Sequence, residues 1–340
     1  MRHWRRMDAD PRWKGTMPGY HVGEWYKAKW SQVTKLRGKV ALVTGGNAGL
    51  GYETCVNLAA SGALVVFTCR TGEKAVEAKT RMLRDRRLRY CADANQRLVP
   101  MVLDLASLSS VLRFVEDFNS QQAHVHAVIL NATASSPTYS ETEFGVESML
   151  GVGHVAHFAL TLGVLDKLRK SAPSTVVVLS SGAHFVAPPM PTSSTRLECV
   201  NDHGMTQFQR YARVKMANVL FANDLARRLS KEKVYVNTAY PGMMHTTITN
   251  DLWSGARFYS FIPLFMWSPH TASLTVIDAA FGPRVFSDEW RGQYIVPVGR
   301  IHDCSPAARD VQAANELCSW TANLLAERGF PLASAATLLT

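Results

Sequence analysis

Residues 40–60 read VALVTGGNAGLGYETCVNLAA. VALVT (40–44) is an unbroken apolar run, the composition a strand needs when both its faces are buried. It passes directly into TGGNAGLG (44–51), and a helical pattern begins at Tyr52. Gly45 permits a tight turn, while Gly49 and Gly51 let backbone and helix start approach a pyrophosphate, whose charge a helix N-terminus favours. A glycine cluster alone is weak evidence. Between a strand and a helix near the start of an α/β pattern it predicts a dinucleotide loop, with Asn47 and Leu50 inside it.

The rest of the chain repeats the pattern. ALVVFT (63–68), RLVPMVL (97–103), VHAVIL (125–130), STVVVLS (174–180), VYVNTAY (234–240) and QYIVPV (293–298) are further strand candidates. Between them Leu108, Val111, Leu112, Val115 and Phe118 fall at helical spacing, 206–230 ends in a cationic turn, and 306–328 reads as a last helix stopped by Gly329 and Pro331. Strands and helices taking turns predict an α/β, Rossmann-type, doubly wound parallel sheet of about seven strands, order 3-2-1-4-5-6-7, with helices on both faces. Residues 185–205, rich in Pro, Ser and Thr, read as a long loop. The expected organisation is a basic, Trp-rich arm (1–36), one domain (37–330) and a loose tail (331–340).

At 340 residues, 47% hydrophobic and 19% charged, the chain can bury a full core, which excludes a disordered or collagenous polymer. No 18 apolar residues run uninterrupted, and MRHWRRMDADPRWKG lacks the apolar centre of a secretory signal. A cytoplasmic protein is expected, with organelle or peripheral membrane association open. Six cysteines, never paired as C-x-x-C, point to a reducing compartment and no structural metal. The net charge of +10 is concentrated in residues 1–39 (ten Lys/Arg against three Asp/Glu) and 70–97 (nine against four). Without stacking aromatics along a basic groove, no nucleic-acid partner is expected. Trp4, Trp13, Trp25 and Trp30 of the arm either cover the domain or meet a partner.

The second strand ends Thr68-Cys69-Arg70, where a free ribose would call for a carboxylate. A guanidinium instead suits a 2′-phosphate, so NADP is the expected cofactor; a merely solvated Arg70 would leave the preference unset. Tyr211 and Lys215, four apart in a helical stretch, share a face, and a lysine one turn from a phenol lowers its pKa toward acid–base use. They follow the strand ending at Ser181 and precede the one leading to Pro241-Gly242, at the carboxyl ends where such sheets hold ligands. His154 and His157 are three apart but lack a third ligand, so they read as structural and no metal site is expected.

These residues resemble the short-chain dehydrogenase/reductase family over about 37–328. TGGNAGLG is similar to its cofactor loop, LDLAS with Asp104 and Leu105 to its adenine contact, and LNAT with Asn131 and Ala132 to its fourth-strand motif. Ser181, Tyr211 and Lys215 match its catalytic set. FTCR, HVAHF, VLSSGAH and LFANDLARRLS resemble the retinol dehydrogenase and WW-domain oxidoreductase branch, although no WW domain is evident. The resemblance implies that Tyr211 moves the proton at the substrate oxygen, Lys215 holds the nicotinamide ribose and Ser181 hydrogen-bonds the carbonyl. Three departures stand out: Thr133 for the glycine of NAG, Val214 for the serine of Y-x-x-S-K, and Gly153 for the asparagine of VNHLGHF. That asparagine supports a proton relay whose water rests largely on its backbone carbonyl, which glycine keeps. Restoring the side chain, Gly153→Asn, is therefore expected to raise turnover with little effect on stability. Residues 243–270 fall at the family's substrate loop, and eight of ten residues in 258–267 are apolar or aromatic. That composition predicts a small lipophilic substrate; peripheral membrane contact through 258–267 and a homodimer stay open. The implied activity is NADP(H)-dependent interconversion of a lipophilic alcohol and carbonyl, the alternative being a catalytically impaired nucleotide-binding scaffold.

Overall fold

In the computed structural model, which describes residues 35–192, 195–244, 267–297 and 299–331, each apolar run becomes a strand. These are β1 (Val40–Val43), β2 (Leu64–Cys69), β3 (Leu98–Val102), β4 (Ala127–Leu130), β5 (Ser174–Leu179), β6 (Val234–Ala239) and β7 (Tyr294–Val296). They pair in parallel in the expected order. An eighth strand, β8 (Arg300–His302), extends the sheet antiparallel to β7. Its Arg-Ile-His sequence has no apolar run, so nothing in the composition announces it.

Burial alternates along the strands with period two. Leu42, Val66, Val128, Val176 and Val236 enter one core, and Val43, Val65, Phe67, Ile129 and Val177 enter the other. Continuous apolar strands are what a sheet covered on both faces requires. Helices α1 (Gly49–Ala60) and α2 (Gly72–Leu83) cover one face, α3 (Leu108–Gln121), α4 (Ser148–Lys170) and α5 (Gln207–Arg228) the other. Helix α6 (Pro269–Phe281) packs beside α1, and α7 (Val311–Glu327) beside α5. Helix α5 opens with a capping box between Thr206 and Gln209 and closes with Arg227 and Arg228 on Asp224. The expected loop at 185–205 is partly structured, by a 3-10 turn at Gly182–Val186 and a one-turn helix at Leu197–Val200.

Among the described residues α4 is the one helix long and apolar enough to cross a membrane by composition. Its apolar window is 89% buried within the protein, so it serves as the core helix. Near its start the ladder widens into a π turn, Gly151–Val155. The arm up to 34, the centre of the segment expected at the substrate loop (245–266) and the tail from 332 lie outside the described residues.

Candidate active site

A cavity of about 470 Å³ opens at the carboxyl ends of the central strands. Gly45, Asn47, Gly49, Leu50 and Gly51 line it from the β1–α1 turn, and Arg70 from the end of β2. Asp104 and Leu105 follow β3, Asn131 and Ala132 follow β4, and Ser181 follows β5. Tyr211 and Lys215 come from α5, Pro241 and Gly242 from the end of β6. The topology thus brings every candidate residue from the sequence to one wall or another of a single concavity.

The turn is built for close approach. Gly45 sits at φ +69°, and a Cβ on Gly51 would lie 2.2 Å from the Gly45 carbonyl oxygen and 2.6 Å from Asn131 Nδ2. Asn131 Nδ2 donates to the Thr44 carbonyl at 2.8 Å, tying the end of β4 to that of β1. Helix α1 starts at Ala48 without a side-chain cap or an acidic first turn, leaving its first amides for an anion from the cavity side. These residues fit a dinucleotide pyrophosphate. At the ribose end Arg70 stands 3.8 Å from Asp104, and Lys74, which the sequence reading missed, adds a second cation to the lining. Only its spacing past Arg70, one turn into α2, could have flagged it.

On the catalytic wall, Ser181, Tyr211 and Lys215 line the cavity together, and Lys215 Nζ lies 5.3 Å from the Tyr211 ring centroid. Lys215 is buried; its ammonium donates to the Leu179 carbonyl at 3.4 Å, and burial depresses its pKa to about 8. The Tyr211 phenol is raised above its ordinary value by burial, against which the nearby Ser181 hydroxyl acts. The expected depression by Lys215 is therefore not seen. The ammonium lies over the ring face and donates to the Leu179 carbonyl rather than to the phenol oxygen. Asn218, also missed, donates to the same Leu179 carbonyl at 2.9 Å, and Ser180 Oγ donates to the Lys215 carbonyl at 2.7 Å, fixing this part of α5 against β5.

The neighbourhood of Gly153 corrects the expectation placed on it. A Cβ there would meet Val214 Cγ1 at 2.5 Å, and Val214 is fully buried. Val214, itself a departure from the family pattern, fills the room the missing side chain would need. The Gly153 carbonyl, expected to hold a relay water, already accepts from His157 Nδ1 at 3.3 Å. The proton positions follow from the chain of bonds: Thr44 Oγ1 accepts from the amides of Asn131 and Ala132, each at 2.9 Å. The Gly153 carbonyl can only accept, so the neutral His157 ring carries its proton on Nδ1, and its Nε2 accepts from the Thr44 hydroxyl at 2.9 Å. His154 pairs separately with Thr321 at 2.9 Å. Both rings are structural ties, and among the described residues no group of three or more His, Cys, Asp or Glu could hold a metal ion.

Toward its outer end the cavity is lined by Thr133, Ser135, Val152, Tyr240 and Met244. Met244 bridges Trp267 in parallel, and the Trp267 amide donates to the Met243 carbonyl at 2.8 Å, so Met243 and Met244 are tied to Trp267 beside the cavity. Residues 245–266, including most of the aromatic run, are outside the described part.

Residues 39–193 match the family described as short chain dehydrogenase. Mouse retinol dehydrogenase 11 is 32% identical over 286 residues, spanning 83% of this chain and 83% of its own. Human WW domain-containing oxidoreductase is 32% identical over 306 residues, 86% of this chain and 69% of its own. Among solved structures, an uncharacterised protein from Mycobacterium paratuberculosis superposes with a TM-score of 0.62 at 24% identity, covering 87% of this chain and 96% of that one. An NAD(P)-dependent gluconate 5-dehydrogenase from Beutenbergia cavernae, crystallised with NADP at low occupancy, gives 0.60 at 22% identity, covering 78% and 98%. At these identities the structural likenesses speak to the fold alone.

Proposed function

The chain belongs to the short-chain dehydrogenase family, and on that footing we propose that it is an NADP(H)-dependent oxidoreductase interconverting a lipophilic alcohol and its carbonyl. The observation carrying this reading is that Ser181, Tyr211 and Lys215 meet in the same cavity whose far end holds Arg70 and Lys74. A bound nicotinamide supplies the hydride. In reduction, the Tyr211 phenol passes its proton to the substrate oxygen while the Ser181 hydroxyl holds that oxygen in place; oxidation reverses both. Lys215 would hold the ribose hydroxyls. Its pKa of about 8 keeps most of it cationic at neutral pH, and turning toward the phenol oxygen would favour the phenolate. Arg70 and Lys74 support a 2′-phosphate, and Val152, Tyr240 and Met244 support an apolar substrate. The test is a comparison of NADPH with NADH binding, followed by turnover on retinals, steroids and aliphatic aldehydes. NADPH should bind more tightly, and Arg70→Ala should lose about tenfold in NADPH affinity and little in NADH affinity. Equal affinities in the parent protein would remove the NADP assignment.

Gly153 and Val214 favour a second reading, a cofactor-binding protein whose chemistry has decayed, because an apolar group stands where the family places its relay asparagine. NADPH binding with no turnover across the panel would establish it.

A further inference from the structure

Residues 84–97, RDRRLRYCADANQR, carry five arginines against two aspartates. They lead into the N-terminal end of β3, so they lie at the opposite end of the sheet from the cavity. Their backbone is a ladder of successive turns: the amides of Asp85, Leu88, Cys91 and Ala94 each donate to the carbonyl three residues earlier. Leu88 and Ala94 are buried beneath it.

The acids of this region are already committed. Arg87 turns inward, taking both Asp85 oxygens at 2.8 and 2.7 Å, Glu53 at 2.7 Å and Asn57 at 2.9 Å. Arg97 pairs with Asp93 and donates to the Ala59 carbonyl at 2.8 Å. Those bonds pin the ladder to α1 and leave Arg84, Arg86 and Arg89 exposed, with no ion-pair partner among the described residues. All three line one hollow of about 540 Å³, together with Leu83 and Leu88. Tyr90 stands beside it 90% exposed, with the Arg89 guanidinium 5.9 Å from its ring centroid.

We propose that this hollow is a second ligand site, one that takes a phosphate ester. Three arginines lining a single concavity match the several acceptor oxygens of a dianionic phosphate, whereas one carboxylate would leave most of the charge uncompensated. Leu83 and Leu88 in the lining and the exposed Tyr90 beside it suit the organic part of the ester. Because Arg87 and Arg97 fix the backbone in advance, little order has to be gained on binding. Arg37 acts on Asp93 from the same end of the molecule and adds to the positive field. The site is independent of the proposed redox activity.

The test is binding by the full chain at physiological ionic strength, where loosely organised surface charge is screened. The probes are soluble inositol 1,4,5-trisphosphate and, separately, phosphatidylcholine vesicles with and without phosphatidylinositol 4-phosphate. Saturable binding to the soluble ester, or to the phosphorylated vesicles alone, is the expected result and tells a free ester from a lipid headgroup. The triple variant Arg84→Gln, Arg86→Gln, Arg89→Gln should lose at least about tenfold in affinity. NADPH binding and Tm should not move, since none of the three touches the cavity or the core. A matching triple Arg→Lys variant keeps the charge, loses the forks and should also bind more weakly than the parent. Binding to neither probe, equal binding by the parent and the Gln triple, or equal binding by the parent and the Lys triple would each overturn the proposal. Tighter capture of an acidic peptide or of single-stranded RNA than of either phosphate probe would overturn it as well.

Discussion

Asparagine at 153 would drive its Cβ to 2.5 Å from Val214 Cγ1, about 1 Å inside ordinary carbon–carbon contact. Val214 is buried and β-branched within a helix, so it is held near one χ1 rotamer and cannot swing aside. Either α5 or the π turn of α4 has to move, and overpacking of this kind costs about 1–3 kcal/mol. Removing a mid-helix glycine returns about 0.5–1 kcal/mol for alanine and less for asparagine. The balance is a loss of about 1–2 kcal/mol, or roughly 1.5–3 °C in Tm for a chain of this size. Val214→Ser opens the space, so the double variant should be more stable than the sum of the two single changes by about 1 kcal/mol or more. Urea midpoints for the parent, both singles and the double close the cycle, with NADPH turnover measured on the same preparations. Any gain in turnover should appear in the double variant and not in Gly153→Asn alone. A Gly153→Asn protein as stable as the parent, or strictly additive single changes, would show that residues 153 and 214 do not compete for one space.

Tyr211→Phe should lower turnover about a hundredfold or more while NADPH titrates as in the parent; retained activity would displace the phenol from its role. Gly51→Ala, whose new carbon would fall 2.2 Å from the Gly45 carbonyl oxygen, should weaken NADPH binding at least about tenfold in a fluorescence titration, because the cofactor turn itself must reshape. Burial holds His154 and His157 neutral down to about pH 3 and His184 to about pH 4, against an ordinary 6.5. The unfolded chain therefore binds more protons between those values. Stability should be full above pH 6.5 and fall on acidification toward pH 4, each ring withdrawing up to about 1.4 kcal/mol per pH unit. Denaturation midpoints that stay flat between neutral pH and pH 5 would contradict this.

Most of the parallel strands were legible because burial on both faces keeps them predominantly apolar, and that composition needs no partner to be read. β8 was not legible, since a three-residue edge strand of Arg, Ile and His is recognisable only from β7 beside it. The candidate site was legible for a related reason. Doubly wound sheets gather ligand contacts at strand ends, so contiguous motifs such as TGGNAGLG and LDLAS mark their own positions. What escaped were relations between distant residues. Gly153 and Val214 each stood out as a departure, yet their competition for one volume exists only once α4 lies against α5. The commitment of Lys215 to Leu179 likewise depends on where β5 ends relative to α5, which helical spacing does not contain.

Both borders of the sheet discourage its growth. At one, β3 pairs Pro100 with Phe67 of β2, and a proline there lacks the amide a newcomer strand would need. At the other, β8 shields the wholly buried, apolar β7 and presents a short strand bearing Arg300 and His302. Short, polar or proline-bearing rims are how proteins avoid templating the addition of foreign strands. A sheet this hydrophobic would otherwise be a seed for aggregates during synthesis. Among the described residues, neither rim offers a long, unobstructed row of backbone groups for a neighbour's strand.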